Sequence, residues 1–179
     1  MKVGIAGVGG IGSNVALNLV RAGCTSLLLV DFDVVEASNL NRQFYFSDQL
    51  GQPKALMLRD NLLRIAPAAE IEIRQLRLTP ANMTETFAGC DVLVEGFDEE
   101  ASKKQLIEAF AGRELPIVSA SGIAGREIAP IRVQRLGKCT IVGDFVNDFR
   151  ENLLYSPKIA IIAAMMADIV LREVFHERQ

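Results

Sequence analysis

Histidine is almost missing from this sequence: His176 is the only one, and there is no tryptophan. An imidazole three residues from the carboxyl end leaves no central histidine for general-base or triad chemistry. The three cysteines, Cys24, Cys90 and Cys139, lie far apart without a CxxC pair. That argues against a disulfide framework or a zinc site. The longest apolar run near the C-terminus, Ile159 to Ala167, has 9 residues, against roughly 18 for a membrane span. The opening "MKVGIAGVGG" lacks the features of a secretion signal. A cytoplasmic protein is expected. No basic run stands out, and the net charge is -3. Neither nucleic acid nor a membrane surface is an expected partner. No repeat, low-complexity tract or linker divides the 179 residues, so residues 1–179 are read as one domain. Half of the residues are apolar, enough for a sizeable core.

What is present is an alternation of strand and helix patterns. "KVGIAG" (2–7) is β-branched and bounded by glycine, as a buried strand is. Residues 9–23 read as a turn and a helix. Ala16, Leu19, Val20 and Gly23 share one face of it, and Gly23 is its stop signal. "SLLLVD" is a second buried strand. Pro53 suits the first position of a helix running to about Ile65. "EIEIRQL", "DVLVEG" and "LPIVSAS" follow as strands, with helices at "PANMTETFA" and "EEASKKQLIEAFAG". Beyond Ser121, "REIAPIRVQRLG" and "KCTIVGDF" are strands with no helix between them. The last helix is expected from Pro157, capped by Ser156. It is apolar almost all round to Ala167, which predicts burial in the core or at a subunit contact. The fold class is α/β: a doubly wound, mostly parallel, Rossmann-like sheet, with antiparallel strands toward the C-terminal end.

Gly7, Gly9 and Gly12 make a G-x-G-x-x-G between strand and helix, with Gly10 inside the turn. Such a turn lets backbone N–H groups approach a phosphate at a helix N-terminus. Asp31 ends the next strand, where a carboxylate can accept from a ribose hydroxyl. These residues alone allow NAD, FAD or ATP.

The following stretch narrows the choice. Asp33, Ser38, Asn39, Asn41, Arg42 and Gln43 crowd one polar loop, and Lys54 opens the next helix. Two cations near a nucleotide suit a triphosphate, above all one whose pyrophosphate leaves. Asp98 closes a later strand on the same sheet edge, where it could hold Mg²⁺ against phosphate oxygens. The sequence has no G-x-x-x-x-G-K-[ST], so a P-loop kinase or ATPase is not indicated. The reading is an ATP site arranged for attack at the α-phosphate.

"GVGGIGS", "VDFDVVEASNLNRQ", "GQPKA" and the strand-end Asp98 resemble the ThiF/MoeB/HesA adenylyltransferases, relatives of the ubiquitin-activating enzymes. The resemblance covers roughly Lys2 to Gly125. "SASGIAG" and "IVGDF" are similar to a compact branch that serves the thiamine sulfur carrier. It implies ATP and Mg²⁺, and activation of the C-terminal glycine carboxylate of a small ubiquitin-like sulfur carrier ending in Gly-Gly. By position, Asp31 resembles the ribose ligand. Asn39, Arg42 and Lys54 resemble the phosphate contacts, with Gln43 in the same motif, and Asp98 resembles the Mg²⁺ ligand. Arg42, Lys54 and Asp98 would carry catalysis. Larger members carry an N-terminal arm with an arginine for the partner's ATP and two CxxC pairs for zinc. This sequence opens at the first strand and has neither pair. The family's D-x-x-D-N reads "EGFDE" here.

Three other readings stay open at this point. The carrier could belong to molybdopterin or cysteine synthesis. The glycine motif and Asp31 alone would serve an NAD-dependent oxidoreductase. A scaffold could bind the carrier without activating it. Cys139 could handle sulfur, although packing in a strand explains it more simply. "NDFRENLLY" (147–155) could cover the carrier's tail or be a surface connection. The apolar last helix and the family habit suggest a homodimer.

Overall fold

The computed structural model describes residues 1–147 and 152–175. His176 and part of the 147–155 stretch lie outside the described residues. Strands β1 (Val3–Ala6), β2 (Ser26–Val30), β3 (Glu70–Arg74), β4 (Val92–Glu95), β5 (Ile117–Ala120), β6 (Arg132–Leu136) and β7 (Cys139–Gly143) form one sheet. Its order is β3-β2-β1-β4-β5-β7-β6. All neighbouring pairs are parallel except β6 with β7. The expected fold class is therefore observed.

Helices α1 (Gly10–Arg21), α2 (Lys54–Leu63), α3 (Met83–Thr86), α4 (Glu100–Ala109) and α5 (Ser156–Phe175) cover the sheet. Strand side chains alternate between faces, and two apolar clusters result. Val3, Ile5, Leu27, Leu29, Val92 and Val94 pack with α1, α2 and α5. Ala6, Leu28, Val30 and Leu93 pack with Met83, Phe87, Leu106 and Phe110 on the other face. Strands buried on both faces need continuous apolar sequence, which is what "VGIA" and "VLVE" supply up to the terminal glutamate.

Chain order reverses between β1 and β4, the central pair. Connections leaving these two strands diverge to opposite sides and open a crevice at their carboxyl ends. The turn after β1 holds Gly7 to Gly12, and the turn after β4 holds Gly96 to Asp98.

Several expectations need correction. Gly23 does not share the buried face of α1; it is exposed, at φ +88°, in the turn that ends the helix. Pro53 precedes α2 rather than opening it, and Ser156 is the first residue of α5 rather than its cap. The α5 helix meets the expectation of burial in the core along one face. Ile159, Ile162, Ala163, Met166 and Val170 are buried, and the helix packs chiefly on α1, while Pro157, Ala160 and Ala164 are exposed. Uniform apolarity hid this difference, because alanine is at home on either face.

Candidate functional site

The β1 turn is built by backbone contact. Gly7 adopts φ +85°, a region open mainly to glycine. A Cβ on Gly12 would stand 1.9 Å from Gly7 O, and one on Gly96 would stand 2.6 Å from the same oxygen. Gly12 thus lets helix α1 close on the turn, and Gly96 lets the β4 turn approach it. Gly9 and Gly10 differ: a Cβ there would meet nothing nearer than 3.7 Å. Both line a cavity of about 460 Å³ with Gly7. Tyr45 Oη donates to Val8 O at 2.7 Å and secures the turn from beneath.

Asp31 lines the same cavity and is buried. One carboxylate oxygen accepts from Val8 N–H at 2.7 Å, the other from Asp33 N–H at 2.8 Å. Burial pushes this carboxyl up, against the lowering effect of those two N–H groups and of Lys54. Lone pairs left on both oxygens suit a hydroxyl donor such as a ribose edge.

The polar loop is closed at its base like a short hairpin. Val35 N–H donates to Gln52 O, Gly51 N–H to Val35 O and Lys54 N–H to Asp33 O, each at 2.9 Å. This pairing brings Lys54 beside Asp33 although 21 positions separate them. The buried Lys54 Nζ is 3.0 Å from Asp33 Oδ2. Within the loop, Asn39 Oδ1 accepts from Glu36 N–H, and Asn39 O accepts from Arg42 and Gln43 N–H. Asn39 is not among the residues lining the cavity; it turns the loop that presents Arg42 and Gln43. Asn14 of α1 holds that loop by donating to Arg42 O at 2.8 Å. The Arg42 stem passes near Gly10, and its guanidinium donates to Ser38 O and Asn41 Oδ1. Gln43 Oε1 is buried without a hydrogen-bond partner.

Asp98 is exposed in the β4 turn and lines the same cavity. The structure therefore brings together Gly7, Gly9, Gly10, Asp31, Asp33, Arg42, Gln43, Lys54 and Asp98. Gly12 and Asn39 support them from behind. Sequence reading missed the apolar wall of Phe32, Leu76 and Leu78. Arg77 stacks on Phe32, 3.8 Å from the ring centre. The large aromatic directly after Asp31 was an available signal, because a strand exit into water seldom needs one.

A second, wider cavity of about 610 Å³ adjoins the first. The two share Phe97, Asp98 and Ile123. Its walls include Ile107, Ile141 and Phe145, together with Lys103 and Ser119. Phe145 is held at φ 64°, a rare conformation for a bulky residue and one found at functional sites. Nothing in the residue spacing announced this cavity, since its wall is assembled from α4, β5, β7 and the segments that follow β4, β5 and β7.

These features fit a nucleotide. The glycine turn leaves room where phosphates approach, Arg42 and Lys54 supply positive charge, and Gln43 keeps an unpaired acceptor. For magnesium the cavity offers the exposed carboxylate of Asp98. Among the described residues no group of three or more His, Cys, Asp or Glu side chains could hold a metal ion. Asp98 would be one ligand beside substrate phosphates, the usual habit of Mg²⁺.

Cys139 is remote from this chemistry. It opens β7, opposite Ile117, at the far end of the strand from the cavities. Burial, then Glu95, pushes its thiol up to about 11. A thiolate is the nucleophilic form, so the packing reading holds for Cys139. Among the described residues no helix is long and apolar enough to cross a membrane.

The sequence profile of the ThiF family matches residues 1–178. Sulfur carrier protein ThiS adenylyltransferase of Escherichia coli is 32% identical over 68% of this chain and 49% of its own length. Molybdopterin-synthase adenylyltransferase of Escherichia coli is 37% identical over 68% and 49%. The chain spans between a fifth and a half of the curated relatives it matches. The crystal structure of E. coli tRNA N6-threonylcarbamoyladenosine dehydratase with AMP superposes with TM-score 0.89 at 20% identity, covering 99% of this chain and 88% of that one. The complex of the same enzyme with ATP gives 0.85. These solved structures share the fold.

Proposed function

This chain belongs to the ThiF family, and from that premise we propose that it uses ATP to adenylate the C-terminal glycine carboxylate of a ubiquitin-like sulfur carrier, releasing pyrophosphate. The observation that carries this reading is the convergence of Asp31, Arg42, Lys54 and Asp98 on one cavity. Asp98 also lines the wider cavity, through which an extended acceptor tail would reach the α-phosphate.

Each residue has a task in this account. The glycine turn receives phosphate on its backbone N–H groups, and Asp31 accepts from the ribose. Phe32, Leu76 and Leu78 offer the base an apolar wall. Arg42 and Lys54 offset charge on the departing pyrophosphate. Asp98 would hold Mg²⁺, which would supply neutralisation of phosphate charge. An attacking carboxylate is already ionised at neutral pH, so no general base is needed. Catalysis then rests on placement and electrostatics.

We assign the carrier to thiamine thiazole synthesis. The thiamine-type relative supports that choice, while the molybdopterin-type relative makes its carrier the second candidate. We also propose that residues 1–179 act as one domain, in the cytoplasm, as a homodimer. Exposed Ala160 and Ala164, one turn apart on α5, would supply an apolar strip for such a contact. The test is incubation with ATP, Mg²⁺ and purified carriers, followed by mass spectrometry of the carrier C-terminus. AMP on the thiamine carrier supports the assignment. AMP on the molybdopterin-type carrier alone moves the pathway. Carrier binding without AMP transfer replaces the enzyme by a scaffold, and preference for NAD over ATP replaces it by an oxidoreductase.

A further inference from the structure

Glu95 is a carboxylate where the sequence otherwise calls for an apolar residue. It ends β4 and has no exposed surface. Both oxygens are engaged. Oε1 accepts from Phe97 N–H at 2.7 Å and from Lys103 Nζ at 3.0 Å. Oε2 accepts from Ser119 Oγ at 2.6 Å and from the same Lys103 Nζ at 2.9 Å. The side chain therefore ties its own strand to β5 and to α4. A buried ionised group is retained only where such bonds and a counter-charge offset its desolvation.

The tie falls at the point where the two cavities meet. Gly96 N–H donates to Ala6 O at 2.9 Å, which fixes one side of the turn to β1. Glu95 grips the other side through Phe97 N–H, and the next residue is Asp98. Asp98, Phe97, Lys103 and Ser119 all line the wider cavity, and the first two also line the nucleotide cavity. We propose that Glu95 is a positioning residue: its bonds to Phe97, Lys103 and Ser119 hold the Gly96–Asp98 turn so that Asp98 stands between nucleotide and acceptor. This rests on the adenylation reading of the same site. Glu95 touches no substrate and acts through Asp98.

A double-mutant comparison separates this role from a general contribution to folding. Glu95→Gln alone leaves Lys103 without its counter-charge, so Glu95→Gln/Lys103→Gln, which removes both charges, serves as the second variant. Folding is checked by circular dichroism. Affinity for ATP without metal is expected within about twofold of wild type, because that affinity rests on the glycine turn, Asp31, Arg42 and Lys54. Pyrophosphate exchange with Mg²⁺ is expected to fall about tenfold to a hundredfold, the effect of small misplacement at a reacting centre. Placed on an Asp98→Ala background, the same change is expected to alter exchange by less than about twofold, because the residue it positions is gone. Glu95→Asp, one methylene shorter, should fall between. An equal loss on both backgrounds, or no loss in either folded variant, overturns the proposal. If wild type exchanges with no carrier, adenylation itself fails. The ratio of ATP affinities with and without Mg²⁺ then carries the same comparison: loss of the Mg²⁺ effect in the Glu95 variant supports the positioning role, and its persistence overturns it.

Discussion

Lys54 Nζ stands 3.0 Å from Asp33 Oδ2, and the two residues occupy opposite legs of one hydrogen-bonded loop base. The cation is buried, its partner half-exposed. Under the proposed adenylation, a side chain held this way would already be in place for phosphate, so little order would have to be created at the moment of reaction.

Replacing Lys54 with Met keeps most of the stem and removes the charge. Its stability cost is expected to stay within about 1 kcal/mol, since a pair with a solvent-facing partner contributes little. Pyrophosphate exchange should fall about a hundredfold or more, the scale on which a single charge-stabilising donor acts. Thermal melting and exchange rates measured on one preparation check both statements. A large drop in melting temperature with intact exchange would show that Lys54 is structural.

The glycines should separate into two kinds. Gly12→Ala drives a methyl group to 1.9 Å from Gly7 O, whereas Gly10→Ala meets only Ile159 Cγ2 at 3.7 Å and the Arg42 stem at 3.8 Å. Gly12→Ala is expected to destabilise the fold by about 3 kcal/mol or more, because backbone cannot yield as a side-chain tip can. Gly10→Ala should melt within a few degrees of wild type. Equal melting temperatures for the two variants would contradict the packing described for the turn.

Strand–helix alternation made this much visible from residues alone. "KVGIAG" and "DVLVEG" end within about one residue of β1 and β4, because a strand covered on both faces must be apolar throughout. The gathering of the glycine turn and Asp31 at one cavity was legible for the same kind of reason: glycine spacing and a strand-end aspartate are local signals. Glu95 was not legible. It reads as an ordinary strand-end acid until Lys103 and Ser119, from two other elements, are seen on its oxygens. Asn39 also helps to fold its own loop: Oδ1 accepts from Glu36 N–H, and Nδ2 reaches Ser38 Oγ at 3.4 Å. Sequence distance could not show that a residue of the motif also folds the loop carrying it.

A buried pair beneath the wider cavity sets an acid-dependent term. Lys158 Nζ is 2.6 Å from Asp144 Oδ2, neither residue has exposed surface, and the lysine also donates to Ala124 O. Burial works to raise the Asp144 carboxyl, and donors from Asn147, Lys158 and Val146 overcome it, holding the group well below its ordinary 3.8. A depressed folded-state value means that the carboxylate contributes stability above the unfolded value, and that this is lost as pH falls through the folded one. Asp144→Asn should cost about 3–5 kcal/mol at neutral pH, the penalty for stranding a buried charge. The gap from wild type should narrow below about pH 4 in urea unfolding, where the unfolded carboxyl becomes protonated. A gap independent of pH would show that the ionised form is not the source.

Cys139 should be inert. With its thiol pushed up to about 11 by burial, hardly any thiolate exists near pH 7. Iodoacetamide is expected to leave it unmodified in the folded protein, and Cys139→Ala should keep exchange within about twofold of wild type. Rapid alkylation, or loss of exchange in a well-folded variant, would restore a chemical role.

The most direct measurement is exchange of labelled pyrophosphate into ATP, with Mg²⁺ and the thiamine sulfur carrier. The account predicts exchange that requires the carrier's terminal Gly-Gly carboxylate and is lost when Arg42 or Lys54 is replaced. Exchange that persists without the carrier's terminal carboxylate, or that survives both replacements, would contradict it.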